Sequence, residues 1–209
     1  MSDPSEPLAR NMSGSPILSE TGWYPAADKL PTHNLWSLRA NHTVRAVVLH
    51  VVQGTYESAI DWLSQPKSMV SAHFVVAKDG RVAQLVSIDD TAWGNGLHYD
   101  SSKGIWVTPP DPKGKVWPAN PSWRGLIRGV NPNFYTISVE HEGCSQEPWT
   151  AAMYDANLGL LRWIRDVLGM TFVLHETLIG HSELDHATRS YCPGPNVDWD
   201  RMVRDLSAP

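Results

Sequence analysis

Residues 44–50 read VRAVVLH, a short run of β-branched and apolar residues that ends on a histidine. A run that is apolar on both faces is typical of a strand in the middle of a sheet, covered by other elements on each side. We therefore predict a central strand here, with His50 at its end. The turn QGT follows, and Thr55 is placed to cap a helix over 56–63.

The chain beyond this run alternates between strand and helix patterns. Asp79 and Gly80 separate two strand-like runs and predict a hairpin. Strands alternating with helices, together with one hairpin, predict an α/β fold: a single domain with a central mixed β-sheet flanked by helices. The strand patterns cover 73–77, 81–86, 136–141 and 172–174, and the helix patterns cover 151–168, between Thr150 and Gly169, and a last segment from Asn196 or Asp198 to about Leu206.

Two regions lie outside this alternation. Residues 1–40 are rich in proline, serine and polar groups, and we predict a partly irregular N-terminal arm followed by the domain proper at 41–209. Residues 94–133 show no periodicity and form a long insertion loop. A loop of that length is usually either functional or disordered, and its tryptophans favour an ordered wall or lid.

The composition limits the classes of partner. The 209 residues carry 17 Lys and Arg against 22 Asp and Glu, a formal charge of −5. An acidic chain offers no electrostatic surface for nucleic acid or anionic lipid, so we expect neither partner. We also expect a monomer. The start of the chain has no secretory leader pattern, and no apolar run reaches 18 residues, so we expect cytoplasmic synthesis and no membrane span.

Three residues of metal-binding type stand at the ends of elements. His50 closes the first strand, His181 closes the apolar run at 179–180, and Cys192 follows in the next loop. Two imidazoles and one thiolate suit Zn²⁺ and leave a fourth position for water, which is typical of a catalytic zinc site. A histidine at a strand end is more often only a hydrogen-bonded polar residue, and the alternative for Cys192 is a small buried side chain. Spacing alone leaves both readings open.

Five stretches in their order along the chain carry a more specific signal. They resemble the zinc-dependent N-acetylmuramoyl-L-alanine amidases, the family related to phage lysozyme-type endolysins and animal peptidoglycan-recognition proteins. The resemblance covers about residues 44–206 and implies hydrolysis of the amide between N-acetylmuramic acid and L-alanine in peptidoglycan. The matching stretches are VVLHVVQGT (47–55), SAHFVVAKDGRVAQLV (71–86), TAWGNG (91–96), NFYTISVEHEG (133–143) and IGHSELDHATRSYCPGP (179–195).

The resemblance implies a ligand set. His50, His181 and Cys192 fall where the family places its three zinc ligands. Cytosolic amidases that recycle muropeptides tend to carry aspartate at the last position, whereas endolysins and active recognition proteins carry cysteine, as this chain does. Non-catalytic recognition proteins typically lose that cysteine, so its presence favours an enzyme.

Glu140 falls where several family members carry a catalytic glutamate. Strand alternation in TISVEH is consistent with this role. It places Ser138, Glu140 and Glu142 on one face of the strand and the residues at 137, 139 and 141 on the other. A carboxylate on an apolar central strand is costly unless it is paired or works near a cation. Glu140 is the expected general base. The alternative is a structural partner of an arginine or a backbone amide.

The chain departs from the family pattern at two positions that affect catalysis. Small phage members carry a tyrosine before the histidine of the hairpin strand, but Ala72 precedes His73 here. A lysine often stands two residues before the last ligand, where this chain has Ser190. Arg189 is the candidate to replace that lysine as a donor to the oxyanion. Exposure to solvent, or a contact with a substrate carboxylate, is the alternative for Arg189.

Two further residues match family positions near the cleft. Trp93 corresponds to a tryptophan that flanks it, although the histidine that usually follows is Gly94 here. A tryptophan face stacks well on sugar or peptide, and core packing accounts for it equally well. His73 is a candidate substrate contact, with a structural hydrogen bond as the alternative.

The function expected from these residues is that of a phage or prophage endolysin. Such an enzyme accumulates in the cytoplasm and acts on the cell wall after release by host lysis. The alternatives are a cytosolic amidase that recycles muropeptides, a peptidoglycan-binding module without activity, and a hydrolase that uses the Cys192 thiol as its nucleophile.

Overall fold

A computed structural model describes residues 22–208 of the chain. The strands are β1 (Asp28–Lys29), β2 (Leu35–Trp36), β3 (Ala46–Val51), β4 (Phe74–Val76), β5 (Val82–Gln84), β6 (Thr91–Ala92), β7 (His98–Asp100), β8 (Ile105–Val107), β9 (Thr136–His141) and β10 (Leu178–Gly180). The helices are α1 (Tyr56–Ser64), α2 (Ala151–Leu168), α3 (His181–Leu184), α4 (His186–Arg189) and α5 (Trp199–Ser207).

Six strands form the main sheet in the order β1-β5-β4-β9-β3-β10. β3 lies between β9 and β10 and is parallel to both, while β4 and β5 form the antiparallel hairpin predicted around Asp79 and Gly80. The sheet is therefore mixed and flanked by helices, as predicted. Because β3 pairs with β9 in register, His50 stands opposite Glu140.

The strand predicted from VRAVVLH is the centre of the molecule. Val47 and Leu49 belong to the core beneath α2 and α5, whereas Ala46 and Val48 pack on the other face of the sheet against Trp123. All four side chains are fully buried. A strand covered on both faces needs apolar residues at every position, which explains the unbroken apolar run at 46–49.

The long helix α2 has the ends that the sequence predicts. Thr150 accepts a hydrogen bond from the Met153 amide, and Gly169 adopts a left-handed conformation with φ of 61° at the C-terminus. Glycine is favoured there because the left-handed region is costly for residues with a Cβ.

The predicted strand at 172–174 is wrong. The Val173 carbonyl instead accepts hydrogen bonds from the amides of 176, 177 and 178, so this segment is a turn. Val173 is also exposed, and only Leu174 makes an isolated bridge, to Leu178. The strand forms a few residues later as β10, where Leu178 and Ile179 are fully buried beside β3. A three-residue apolar run carries too little periodicity to place a strand.

The long insertion has structure of its own. β7 and β8 pair antiparallel, and Val107 bridges to Pro118. Trp123 is buried, and its indole N–H donates to the Glu176 carbonyl at 2.8 Å. The Ala119 carbonyl accepts from the His186 amide at 2.9 Å, which ties the insertion to the start of α4.

The predicted N-terminal arm is described from residue 22 onward, and residues 1–21 lie outside the described range. β1 pairs with β5, and β2 pairs with β6. Asn34, which precedes β2 in the chain and is buried, donates to the carbonyls of Leu63, Gln65 and Val70. The boundary at residue 40 stays a prediction. Between residues 22 and 208, no helix is both long and apolar enough to cross a membrane.

Candidate active site

The candidate site lies where β3, β9 and β10 end. These three strands are parallel, so their carboxyl ends meet at the same edge of the sheet. His50 is the second-last residue of β3, Glu140 is the second-last residue of β9, and His181 begins α3 directly after β10. Loops beyond the carboxyl ends of parallel strands are the usual place for a binding site in an open α/β sheet.

His50, His181 and Cys192 are brought together at this edge. One ligand atom from each lies within 4.8 Å of the others, and all three residues are buried. The Nδ1 atoms of His50 and His181 are 2.9 Å apart. The Cys192 sulfur accepts the Val51 amide at 3.4 Å, next to His50 in the same strand.

The loop that carries Cys192 is fixed by its backbone. The Cys192 amide donates to the Arg189 carbonyl at 3.0 Å, and its carbonyl accepts from the Ser182 amide at 2.9 Å. These bonds connect the end of α4 to the start of α3. His181 and Cys192 are 11 residues apart in the sequence. The two short helices between them, α3 and α4, fold back so that the two side chains come close together.

The donor set fits a metal ion such as zinc. Burial lowers the pKa of His50 well below its usual value and that of His181 to about 4, so both imidazoles are neutral and offer lone pairs. Burial, followed by the nearby charge of Glu140, raises the pKa of the Cys192 thiol to about 12. A bound cation reverses this last effect, because coordination favours the thiolate. The buried Nε2 of His50 has no hydrogen-bond partner in the described residues.

Glu140 points into the same space. Its Oε1 lies 3.9 Å from His50 Nδ1, and its Oε2 is buried and has no hydrogen-bond partner within residues 22–208. Burial raises the pKa of this carboxyl to about 7, and the positive charge of Arg189 acts in the opposite direction. Because His50 is neutral, the contact between them is not an ion pair. Among the described residues, no arginine or backbone amide donates a hydrogen bond to Glu140 Oε2.

Arg189 lies at the rim of the site, at the end of α4. Asp185 caps this helix by accepting from the Thr188 amide and hydroxyl. The Arg189 side chain is exposed, and its Nη1 donates to the Thr188 carbonyl at 3.2 Å. Its positive charge contributes to lowering the pKa of each of the four groups on the floor of the site: His50, Glu140, His181 and Cys192.

His50, Glu140, His181 and Cys192 form the floor of an open groove with a volume of about 780 Å³, and Arg189 lies at its rim. Trp93 lines the groove, and its buried indole nitrogen has no hydrogen-bond partner in the described part of the chain. Its ring lies 5.6 Å from that of Trp36. The lining also includes neutral polar side chains, such as Gln53 and Ser58, and a set of apolar ones: Val52, Ala59, Trp62, Leu63 and Val70.

His73 lies behind the groove and does not line it. It is 1% exposed, and its Nδ1 accepts the Ser138 amide at 3.0 Å. Its Nε2 lies 3.3 Å from the Asp90 carbonyl and 2.9 Å from Arg39 Nη2. These contacts agree with the structural alternative stated for His73.

Two buried residues that support the site carried no signal in the sequence. His141 is fully buried on the opposite face of β9, and its Nδ1 donates to the His50 carbonyl at 2.9 Å. Arg39 is buried and donates to the carbonyls of Ile88 and Thr136. Strand alternation places His141 on the apolar face, which is the one available sign that it is structural.

Comparison with known proteins identifies one matching family. The family model described as N-acetylmuramoyl-L-alanine amidase (Amidase_2) matches residues 40–195. N-acetylmuramoyl-L-alanine amidase A of Achromobacter lyticus is 26% identical over 198 residues, which are 86% of this chain and 89% of that protein. The 1,6-anhydro-N-acetylmuramyl-L-alanine amidase AmpD of Escherichia coli is 22% identical over 204 residues, 89% of this chain and 95% of that protein.

Solved structures share the fold. A selenomethionine derivative of AmpD has a TM-score of 0.62 at 18% identity and covers 90% of this chain and 98% of its own. The endolysin amidase LysCS of Clostridium intestinale has a TM-score of 0.54 at 14% identity, with 90% and 99% covered. AmiD of Escherichia coli, in complex with anhydro-N-acetylmuramic acid-L-Ala-D-γ-Glu-L-Lys, has a TM-score of 0.58 at 18% identity, with 79% and 59% covered.

Proposed function

The chain belongs to the N-acetylmuramoyl-L-alanine amidase family, and we propose that it is a zinc enzyme of the endolysin type that cuts bacterial peptidoglycan. The bond it hydrolyses joins N-acetylmuramic acid to the L-alanine of the stem peptide. The observation that carries this proposal is the cluster of two neutral imidazoles and one thiol beside a carboxylate, on the floor of an open groove.

His50, His181 and Cys192 are the residues proposed to hold the metal. Zinc, when bound, supplies a Lewis acid that polarises the scissile carbonyl and makes water more acidic. Glu140 acts as the general base, because its unpartnered oxygen faces the same space as the three ligands. It accepts a proton from the attacking water and delivers that proton to the nitrogen of the leaving L-alanine.

Arg189 is proposed to stabilise the oxygen that gains negative charge as the amide carbon becomes tetrahedral. A guanidinium donates strong hydrogen bonds to such an oxygen. Trp93 is proposed to contact the substrate, since its ring lines the groove and its indole N–H lacks a partner among the described residues. His73 is less favoured than Trp93 as a substrate contact, because it is buried behind the groove wall.

Two observations favour different biological substrates. Cysteine at position 192 favours an endolysin, which is made in the cytoplasm, is released by host lysis and acts on the polymeric wall as a monomer. The similarity to AmpD, which extends over 95% of that protein, supports recycling of soluble anhydro-muropeptides as the second candidate. We favour the polymeric wall, since the groove is open at the surface and leaves room for a chain that continues beyond the cut bond.

A direct comparison of the two substrates tests this choice. Purified peptidoglycan sacculi and a soluble anhydro-muramyl tripeptide are offered to the full chain at matched concentrations of stem peptide, with zinc present. We expect the sacculi to be hydrolysed at least as fast as the soluble tripeptide. Rapid hydrolysis of the tripeptide together with intact sacculi would identify a recycling amidase instead.

A further inference from the structure

The groove is lined by few charged side chains, and the positive and negative ones lie at different places in it. Its ionisable lining residues are His50, Glu140, His181, Arg189, Tyr191 and Cys192. Glu140 is the one carboxylate among the described residues that line the groove, and it lies on the floor beside the three candidate ligands. Arg189 is the one arginine or lysine in that lining, so a substrate entering the groove meets a fixed positive charge at the rim.

Arg189 is available to a ligand. Its side chain is exposed, and its guanidinium donates a hydrogen bond to the neighbouring Thr188 carbonyl. No carboxylate lies within ion-pair distance of it in residues 22–208. Its backbone is fixed, because its amide donates to the Asp185 carbonyl and its carbonyl accepts the Cys192 amide. The guanidinium is therefore held near the site with most of its five N–H donors free.

The substrate class carries a matching negative charge. In a stem peptide that continues from L-alanine into γ-linked D-glutamate, the γ-carboxyl forms the peptide bond and the α-carboxylate remains free. That carboxylate lies one residue beyond the bond that is cut. Apart from Arg189, the described lining of the groove holds no lysine or arginine for this carboxylate. It offers neutral polar side chains, such as Gln53, Ser58 and Ser71, beside apolar ones.

We propose that Arg189 is a specificity determinant, which selects stem peptides with a free α-carboxylate on the second residue over stem peptides amidated at that position. This inference rests on the proposed function. One guanidinium can serve both the oxyanion and the carboxylate, because its donors point along two edges of a planar fork. An amide at the same position keeps the shape of the substrate but loses the charge.

The test uses two muramyl tripeptides that differ only in this group, a free carboxylate or a carboxamide. The quantity measured is the ratio of their kcat/KM values. We expect the full chain to favour the carboxylate by about fivefold, which corresponds to a partly exposed ion pair. Arg189→Gln should reduce the ratio to near one, and Arg189→Lys should retain part of it.

The ratio separates selection from catalysis. Loss of an oxyanion donor slows both tripeptides equally and leaves the ratio unchanged, whereas loss of the carboxylate contact slows only one. Arg204→Gln is the matched control, because Arg204 is exposed on α5, which packs with α2 on the opposite face of the sheet. That variant should keep the native ratio.

A ratio near one in the native chain, or a native ratio in Arg189→Gln, would overturn the inference. If neither tripeptide is hydrolysed, the proposed function fails, and the same pair is compared by equilibrium titration. A tighter dissociation constant for the carboxylate form that depends on Arg189 would still support the inference. Equal dissociation constants would overturn it.

Discussion

Glu140 is the residue on which the proposed chemistry depends most. Its Oε2 is buried without a partner in the described residues, and its Oε1 lies 3.9 Å from a candidate ligand. Leaving a buried carboxylate oxygen unpaired is costly to the folded state. Such a cost is typical of functional sites, where a group is kept ready for a substrate rather than satisfied by the protein.

Replacing Glu140 by glutamine should therefore abolish most turnover and leave the metal in place. The amide keeps the shape of the side chain but cannot accept and return a proton. We expect kcat to fall by about 10²- to 10⁴-fold, the usual contribution of general acid–base catalysis. Metal content, measured on the same preparation, should equal that of the native chain. Unchanged turnover would remove Glu140 from the mechanism.

Gly94 is a residue whose departure from the family pattern is visible in the sequence, but the reason for it is not. It departs from the family pattern, in which a histidine follows the tryptophan. In the structure, a Cβ at Gly94 would lie 2.3 Å from the Ser138 hydroxyl oxygen and 3.3 Å from the Ser71 carbonyl oxygen. A side chain there would have to displace a strand residue. This constraint depends on three segments that are distant in sequence, so the sequence alone could not predict it.

Among the elements, α2 is the one whose ends were most completely predicted. Thr150 does two things there: it caps the helix at the Met153 amide, and its hydroxyl donates to the Lys78 carbonyl in the hairpin turn at 2.5 Å. Thr150→Ala should lower the free energy of unfolding by about 1–2 kcal/mol, since both bonds are lost.

Thr150→Ser is the matched control, because serine keeps the hydroxyl that makes both bonds. It should lie within about 0.5 kcal/mol of the native chain. Denaturant unfolding monitored by tryptophan fluorescence measures both variants. Equal stability of the alanine and serine variants would show that the cap and the tie to the hairpin contribute little.

The elements that the sequence predicted well are those with a repeated pattern. β3 is apolar on both faces, and β9 shows strand alternation. α2 combines a 3.6-residue period with a cap and a terminal glycine. The strand expected at 172–174 has neither length nor period, and the nearby Leu178 and Ile179 take its place beside β3. Local apolarity cannot show which of two short runs reaches the sheet.

The whole molecule brings the candidate site together from four separated segments. Residue types and their order predicted His50, Glu140, His181 and Cys192, but distances such as 2.9 Å between two imidazole nitrogens follow only from the register of three parallel strands. The buried residues His141 and Arg39 support that register from outside the groove. They have no chemical motif, so the sequence could not single them out.

The identity of the bond that is cut tests the central claim most directly. Purified peptidoglycan is digested by the full chain, with and without a zinc chelator, and newly freed L-alanine amino termini are quantified. The account predicts release of these termini by the native chain, loss of release with chelator, and recovery when zinc is restored. Cys192→Ser should neither retain zinc nor release L-alanine termini. Release that persists in the chelator, or a Cys192→Ser variant that keeps its full zinc content, would contradict the account.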